Sequence, residues 1–364
     1  MNKAFFINGG AGRVLCSIPA LEEFSKKNED FIIVAEAWGE FYQCSSILRD
    51  KVYPINHKDL FETHLRDKEI ISPEPYRLNE YFNQKCNMIQ AFDMIINDLK
   101  EIPKTKKITL ELNKSEQIVG YNILSEIKEV LKKDKVVVFQ PFGSSVKVEG
   151  NFIVDTTGRS FELTNIYQII EELKKNYAVV LMSQIPLPSA ENLGIATPQN
   201  LSLTQWAGII NAADYFLGCD SVGQHIAYAL DKPATVVLGS TYPENISYPD
   251  NKNFKIIDNG KEKRKYSPIR MTFCECSDRN NEDLMILNEN RIKDIVKTIR
   301  EKIGISKVTN DSLNLSGTNT KNKSLLGNNK ENNIFNGIAA NKPNKNGKST
   351  IDKILELNDI ANWG

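Results

Sequence analysis

The sequence holds no apolar run approaching the roughly 18 residues that a membrane span needs. Its opening, Met-Asn-Lys-Ala-Phe-Phe-Ile-Asn-Gly, is too short an apolar stretch for a secretory signal and leads straight into strand character. Net charge is absent as well: 46 Lys and Arg balance 46 Asp and Glu, which removes the electrostatic case for general nucleic-acid binding. Cysteine is sparse, six in all, and sits mostly inside apolar segments such as Leu15-Cys16 and Gly218-Cys219. Reduced thiols of a cytoplasmic protein fit that usage better than a disulfide framework. Cys274-Glu275-Cys276 is a close pair, but zinc takes about four ligands and no second Cys or His pair lies near it, so no metal site is expected.

What is present is strand–helix alternation over 364 residues, enough for two core-forming domains. Ala4–Asn8 reads as a first strand, Gly9-Gly10-Ala11-Gly12 as a glycine loop, and Arg13 to Lys26 as a helix that bends at Pro19 or starts near it. Phe31–Ala35 is a second strand. The loop is not G-x-G-x-x-G, so a nicotinamide cofactor is not indicated. A helix is expected over Asn79–Leu99, a strand over Thr109–Leu112 and a helix over Tyr121–Lys133. The polar run Lys132–Lys135 is the expected hinge. The same grammar then restarts: Val136–Gln140 as a buried strand, Leu163–Asn176 a helix, Val179–Met182 a strand, Leu203–Ala212 a helix and Asn288–Ile303 a terminal helix. The class is α/β with parallel sheets. Expected units are 1–132, an N-terminal Rossmann-like domain, and 133–304, a second one. Residues 305–348, rich in Asn, Lys, Ser and Gly, read as a disordered linker, and 349–364 as a short amphipathic helix suited to docking on the chain's own domains or on a protein partner.

One stretch organises the chain. Tyr215–Cys219 is a short apolar run fit for a buried strand. Asp220 and Ser221 read as a helix N-cap, Gly223 as a point of close backbone approach, and Ile226, Ala227 and Leu230 as a helical stripe. Lys232-Pro233 ends that helix, Ala234–Leu238 is another strand, and Gly239-Ser240-Thr241 is the loop after it. Open parallel sheets bind ligands at the carboxyl ends of their strands, and a helix N-terminus there is a natural seat for a diphosphate.

Leu201–Trp206, Cys219-Asp220-Ser221-Val222-Gly223-Gln224-His225, Lys232-Pro233 and Gly239-Ser240-Thr241-Tyr242-Pro243, in that order, resemble the donor-site region of glycosyltransferase family 9, the heptosyltransferase-like enzymes. Phe139–Ser144 and Arg159 before Phe161 resemble that family's strand–turn–basic segment, and Gly12 to Pro19 its first loop. The resemblance implies a GT-B fold, two Rossmann-like domains facing across a cleft. It also implies a cytoplasmic glycosyltransferase, inverting and metal-independent, with a nucleotide-diphosphate sugar as co-substrate and no other cofactor. The acceptor, whether glycan, protein, lipid or modified nucleic acid, stays open. One departure stands out: the family's first loop usually carries an Asp as base where this sequence has Arg13.

Inverting transfer needs a proton acceptor, donors and cations aimed at the leaving diphosphate, and two substrates held in line. The donor-binding candidates are Ser144, Lys147, Arg159, Asp220, Ser221, Val222, Gly223, His225, Ser240, Thr241 and Glu244. Asp220 reads as a loop organiser. His225 reads either as a ligand to phosphate or sugar, or as a satisfied core histidine, and Lys147 and Arg159 either as phosphate cations or as a solvated pair. Gly9, Gly10, Gly12 and Arg13 read as the acceptor loop, the glycines alternatively as only a tight turn, and Arg13 either as a ligand to an anionic acceptor or as a surface ion pair. Glu36, after the second strand, is the substitute base, with His225 and Arg13 as further catalytic candidates. No Asp-x-Asp occurs, so metal-dependent sugar transfer lacks its usual ligands. An epimerase of the same fold, or a degenerate sugar-binding or assembly module, are the alternatives.

Overall fold

The computed structural model describes residues 2–150, 152–155, 157–264 and 283–307. Two parallel sheets organise them. In the first, β1 (Lys3–Ile7) lies between β2 (Phe31–Ala35) and β4 (Glu69–Ile71), and β3 (Val52–Pro54) adds outside β2. In the second the order is β11 (Phe254–Asp258), β10 (Ala234–Leu238), β9 (Tyr215–Gly218), β5 (Val136–Gln140) and β8 (Ala178–Leu181). Every pairing in both sheets is parallel. The central strands are continuous apolar runs because both sheet faces are covered: β2, β5 and β10 are buried at every residue. A small antiparallel hairpin, β6 (Lys147–Glu149) with β7 (Phe152–Val154), stands apart.

Helices alternate with the strands. In the first half they are α1 (Ala11–Ser25), α2 (Glu40–Gln43), α3 (Asn79–Phe82), α4 (Met88–Ile96) and α5 (Lys114–Leu131). In the second they are α6 (Leu163–Leu173), α7 (Leu203–Ala212), α8 (Val222–Ala229), α9 (Pro243–Ile246) and α10 (Glu289–Ile303). α1 runs through Pro19, which lies inside it. The helix expected over 79–99 is two: Gln84 takes a left-handed φ of 55°, and Asn87 then starts α4 with a reciprocal capping box to Gln90. Residues 109–112 join no sheet. Their backbone is tied instead to the end of α2, Glu111 N–H donating to the Cys44 carbonyl. α5 begins seven residues before the expected Tyr121, at a capping box between Asn113 and Glu116.

α5 belongs to the first half by position but packs on α7. A Cβ on Gly120 would lie 2.2 Å from the Gly208 carbonyl oxygen, and one on Gly208 only 2.1 Å from that of Glu116. Two glycines thus let two helix backbones touch. One apolar core joins both sheets, from Phe5, Val14 and Phe92 through Ile123 and Ile127 to Val136, Trp206 and Ile226. Residues 305–307, expected to begin a disordered linker, are tied down. Ser306 is buried, donates to Asp134 Oδ1 and accepts from the Asp134 N–H. The rest of the expected linker and the helix at 349–364 lie outside the described residues, as does Cys274-Glu275-Cys276. No described helix is long and apolar enough to cross a membrane.

Candidate functional site

The carboxyl ends of β5, β9 and β10 converge on the N-terminus of α8. The first N–H groups of any helix lack partners within it. Here Ser221 occupies the N-cap position, but its side chain makes no capping bond, and Asp220 does not cap the helix either. Both depart from the sequence expectation. The cap comes from another strand: the side chain of Gln140, the last residue of β5, accepts from the Gly223 N–H through Oε1 at 3.0 Å and donates from Nε2 to Ser221 Oγ at 3.1 Å. Gly223 is therefore a glycine for packing, not for ligand approach. A Cβ there would lie 2.4 Å from Gln140 Oε1 and 2.5 Å from the Phe216 ring. Asp220 instead accepts from Gln224 Nε2 at 3.1 Å. Burial pushes its carboxyl up, against the opposing pull of the Arg159 charge.

A loop between β7 and α6 flanks Asp220. Asp155 holds it together by accepting from the N–H and hydroxyl of both Thr157 and Ser160. Burial alone would raise the Asp155 carboxyl, yet these hydrogen bonds bring it below its ordinary value. The loop presents Arg159, whose Nη2 donates to Ser145 at 2.8 Å and Nε to Thr157 Oγ1 at 3.0 Å. Gly143 lies between these groups: a Cβ on it would make ordinary contact with Arg159, Asp155 and the Asp220 carbonyl at 3.5–3.7 Å. Ser240 follows β10. Its N–H donates to the Gly158 carbonyl, and its hydroxyl, fully buried, bonds to no described group. Thr241 is buried beside it.

The first half meets this region through its glycine loop. Gly9 has a left-handed φ of 91°, Gly10 caps α1, and Gly12 lies against His225: a Cβ at Gly12 would fall 2.5 Å from His225 Cδ2. His225 is 3% exposed. Its Nδ1 shares a hydrogen bond with the Tyr248 hydroxyl at 2.6 Å and lies 3.6 Å from Cys16 Sγ. Burial lowers its pKa to about 4. His225 is thus a neutral contact between the halves, and the reading as a ligand or catalyst does not fit its burial. Arg13 takes the ion-pair reading, though nearly buried, rather than an acceptor or catalytic part. Nη1 donates to Glu74 Oε1 and Nη2 to the Pro73 carbonyl, both at 2.9 Å, and the guanidinium lies over Tyr76 and Phe92. With its side chain 8% exposed, it pins the 73–76 segment rather than offering charge to an acceptor.

Of the remaining candidates, Ser144, Lys147 and Glu244 are exposed, Lys147 on β6 and Glu244 in the first turn of α9. Val222 opens α8. Glu36 is exposed just past β2, its N–H donating to the Ile7 carbonyl. Sequence reasoning missed Gln140, Asp155, Ser160 and Asn245. Asn245 is buried and donates through Nδ2 to the carbonyls of Tyr81 and Cys86 at 2.8 and 2.9 Å, clasping the two halves. An amide at the end of a buried strand, as at Gln140, was the one signal available. The others are visible only in three dimensions.

Two parallel Rossmann-like sheets whose carboxyl ends face one another through Gly12 and His225 define a GT-B fold. Residues 170–271 match the model of glycosyltransferase family 9 (heptosyltransferase), so the resemblance read from the sequence is borne out in that segment. Solved structures of similar fold include ADP-heptose LPS heptosyltransferase II of E. coli (12% identity, TM-score 0.54, covering 83% of this chain and 98% of that one). A glycosyltransferase family 9 protein of Veillonella parvula is similar too (12%, 0.58, 82% and 97%), as is the E. coli heptosyltransferase WaaC with ADP (13%, 0.50, 83% and 99%). No curated protein matches the chain.

Proposed function

We propose that the chain transfers a sugar from a nucleoside-diphosphate donor to an acceptor hydroxyl, with inversion and without a resident metal. The observation that carries this is Ser240, a fully buried hydroxyl bonded to no described group, in the loop after β10 that also touches the Arg159 loop. A buried hydroxyl without a partner is costly, and a phosphate oxygen would satisfy it. Arg159 supplies a fixed cation and α8 the positive end of its dipole, so charge stabilisation of the leaving diphosphate is available from the chain itself. In the reaction the acceptor oxygen bonds to the anomeric carbon as the carbon–phosphate oxygen bond breaks on the opposite face. The hydroxyl proton passes to a carboxylate, for which we propose Glu36, at the carboxyl end of β2.

The donor is proposed to be an ADP-activated sugar, because WaaC is a heptosyltransferase with ADP. The acceptor, of glycan, lipid, protein or nucleic-acid class, is left to experiment. Isothermal titration with ADP in the presence of EDTA tests the donor site: saturable binding supports it, and no binding of ADP or any other nucleoside diphosphate overturns it. NMR of the product anomer then tests inversion. A general base contributes roughly 10²–10⁴-fold, so Glu36→Gln with full turnover would remove Glu36 from the role.

A further inference from the structure

The hydrogen-bond pattern at the head of α8 fixes more than the helix. A backbone N–H can pair only with an oxygen, so the contact to Gly223 N forces the Gln140 amide to point Oε1 at Gly223 and Nε2 at Ser221. Nε2 is a donor only. At 3.1 Å it makes Ser221 Oγ the acceptor, which leaves the Ser221 hydroxyl hydrogen to be donated elsewhere. The Ser221 side chain makes no bond back to its own helix, and the residue is only partly buried. Gln140 itself cannot swing away. It ends a strand buried at every residue, its carbonyl accepts from the Cys219 N–H, and its Oε1 fills the space where a Gly223 side chain would be.

We propose that Gln140 is a positioning residue which occupies one lone pair of Ser221 Oγ and leaves the hydroxyl hydrogen to donate to an acceptor such as a phosphate oxygen at the head of α8. The proposal rests on the donor-site reading and adds to it the residue that orients Ser221. It also explains why a serine without a capping bond sits at the N-cap, the position where serine usually turns inward to accept from its own helix.

The test uses the full chain and ADP as probe, with affinity from titration calorimetry and folding from thermal melts. Ser221→Ala is expected to weaken ADP by roughly 10- to 100-fold, the range for hydrogen bonds to charged groups, with an unchanged melting temperature. Ser221→Thr, which keeps the hydroxyl, restores the affinity. Gln140→Glu still accepts from Gly223 but offers Ser221 a second oxygen, so the hydroxyl turns inward and ADP is lost at least as strongly. Because both changes remove the same donor, Gln140→Glu costs less in the Ser221→Ala background than in the wild type. Wild-type binding of ADP with Ser221→Ala unaffected, or strictly additive costs, overturns the positioning role and leaves the donor site standing. A wild type that binds no ADP overturns both.

Discussion

Gly12 of the first half and His225 of the second fit against each other with no room for a methyl group: a Cβ on Gly12 would sit 2.5 Å from the imidazole Cδ2 and 2.9 Å from Nε2. The imidazole cannot retreat, since Nδ1 is held by the Tyr248 hydroxyl. Gly12→Ala is therefore expected to lower stability by about 1–3 kcal/mol, as overpacking does. Chemical denaturation should show it as a fall in midpoint, and a second change, His225→Ala, should recover part of the loss. An unchanged midpoint would mean that the halves part freely at this point.

His225 also sets a pH dependence. Its pKa is lowered by burial to about 4 from the 6.5 of an exposed histidine, so the unfolded chain binds a proton that the folded chain refuses. The contribution of its neutral form is complete above pH 6.5 and is lost as pH falls from about 6.5 toward 4. A shift of about 2.5 pH units corresponds to roughly 3 kcal/mol. Melting temperature against pH should fall across this window in the wild type and fall less in His225→Phe.

Arg13 and Glu74 form a pair that is nearly closed to water on one side, with side-chain exposures of 8% and 27%. Glu74→Ala strands the guanidinium without its counter-charge and is expected to cost about 1–3 kcal/mol, below the range for fully buried pairs because Glu74 is partly solvated. Arg13→Met with Glu74→Ala should cost less than Glu74→Ala alone. If Glu74→Ala instead matches the wild type in thermal melts, the pair is idle.

Asp155 is the hub of the loop that presents Arg159. Asp155→Ala removes four accepted hydrogen bonds and should lower stability by roughly 1.5–3 kcal/mol, the range for hydrogen bonds to a charged group. ADP affinity should drop with it, because Arg159 loses the Thr157 partner that aims it. Tight ADP binding in a folded Asp155→Ala variant would separate this loop from the donor site.

Ser306, just past α10, is tied back to the residues that lead into β5. Ser306 accepts from the Asp134 and Lys135 N–H groups and donates to Asp134. A chain ending after Lys307 should keep its melting temperature and ADP affinity, whereas one ending after Ile303 should melt lower. If residues 308–364 dock on a partner, as their apolar pattern at Ile351–Trp363 suggests, the first truncation should weaken only that association.

Much of the second half was legible in the sequence. Leu203–Ala212 and Ala234–Leu238 have the expected bounds, because capping signals, glycines and uninterrupted apolar runs act locally. β3, β4 and the β6–β7 hairpin are three residues each, too short to show any period. The site was legible as a place but not as an arrangement. Spacing marked the turn after β9, yet Gln140 reaches Gly223 across 83 residues of chain, and Glu74 reaches Arg13 across 61. Burial decided the rest. His225 has the residue type of a catalyst, and only its enclosure by Tyr248, Cys16 and Gly12 shows a packing role.

The glycine-to-glycine crossing of α5 on α7 bears on where this protein could be cut or recombined. A chimera joined at residue 132 would take α5 from one parent and its seat, Gly208, from the other. Any side chain larger than hydrogen at either position would then drive a wedge between the helices. A junction at Asn113, ahead of the capping box, keeps both surfaces from one parent. The second sheet with its own α5 is the natural modular unit for exchange, beginning some twenty residues before the point at which its first strand appears.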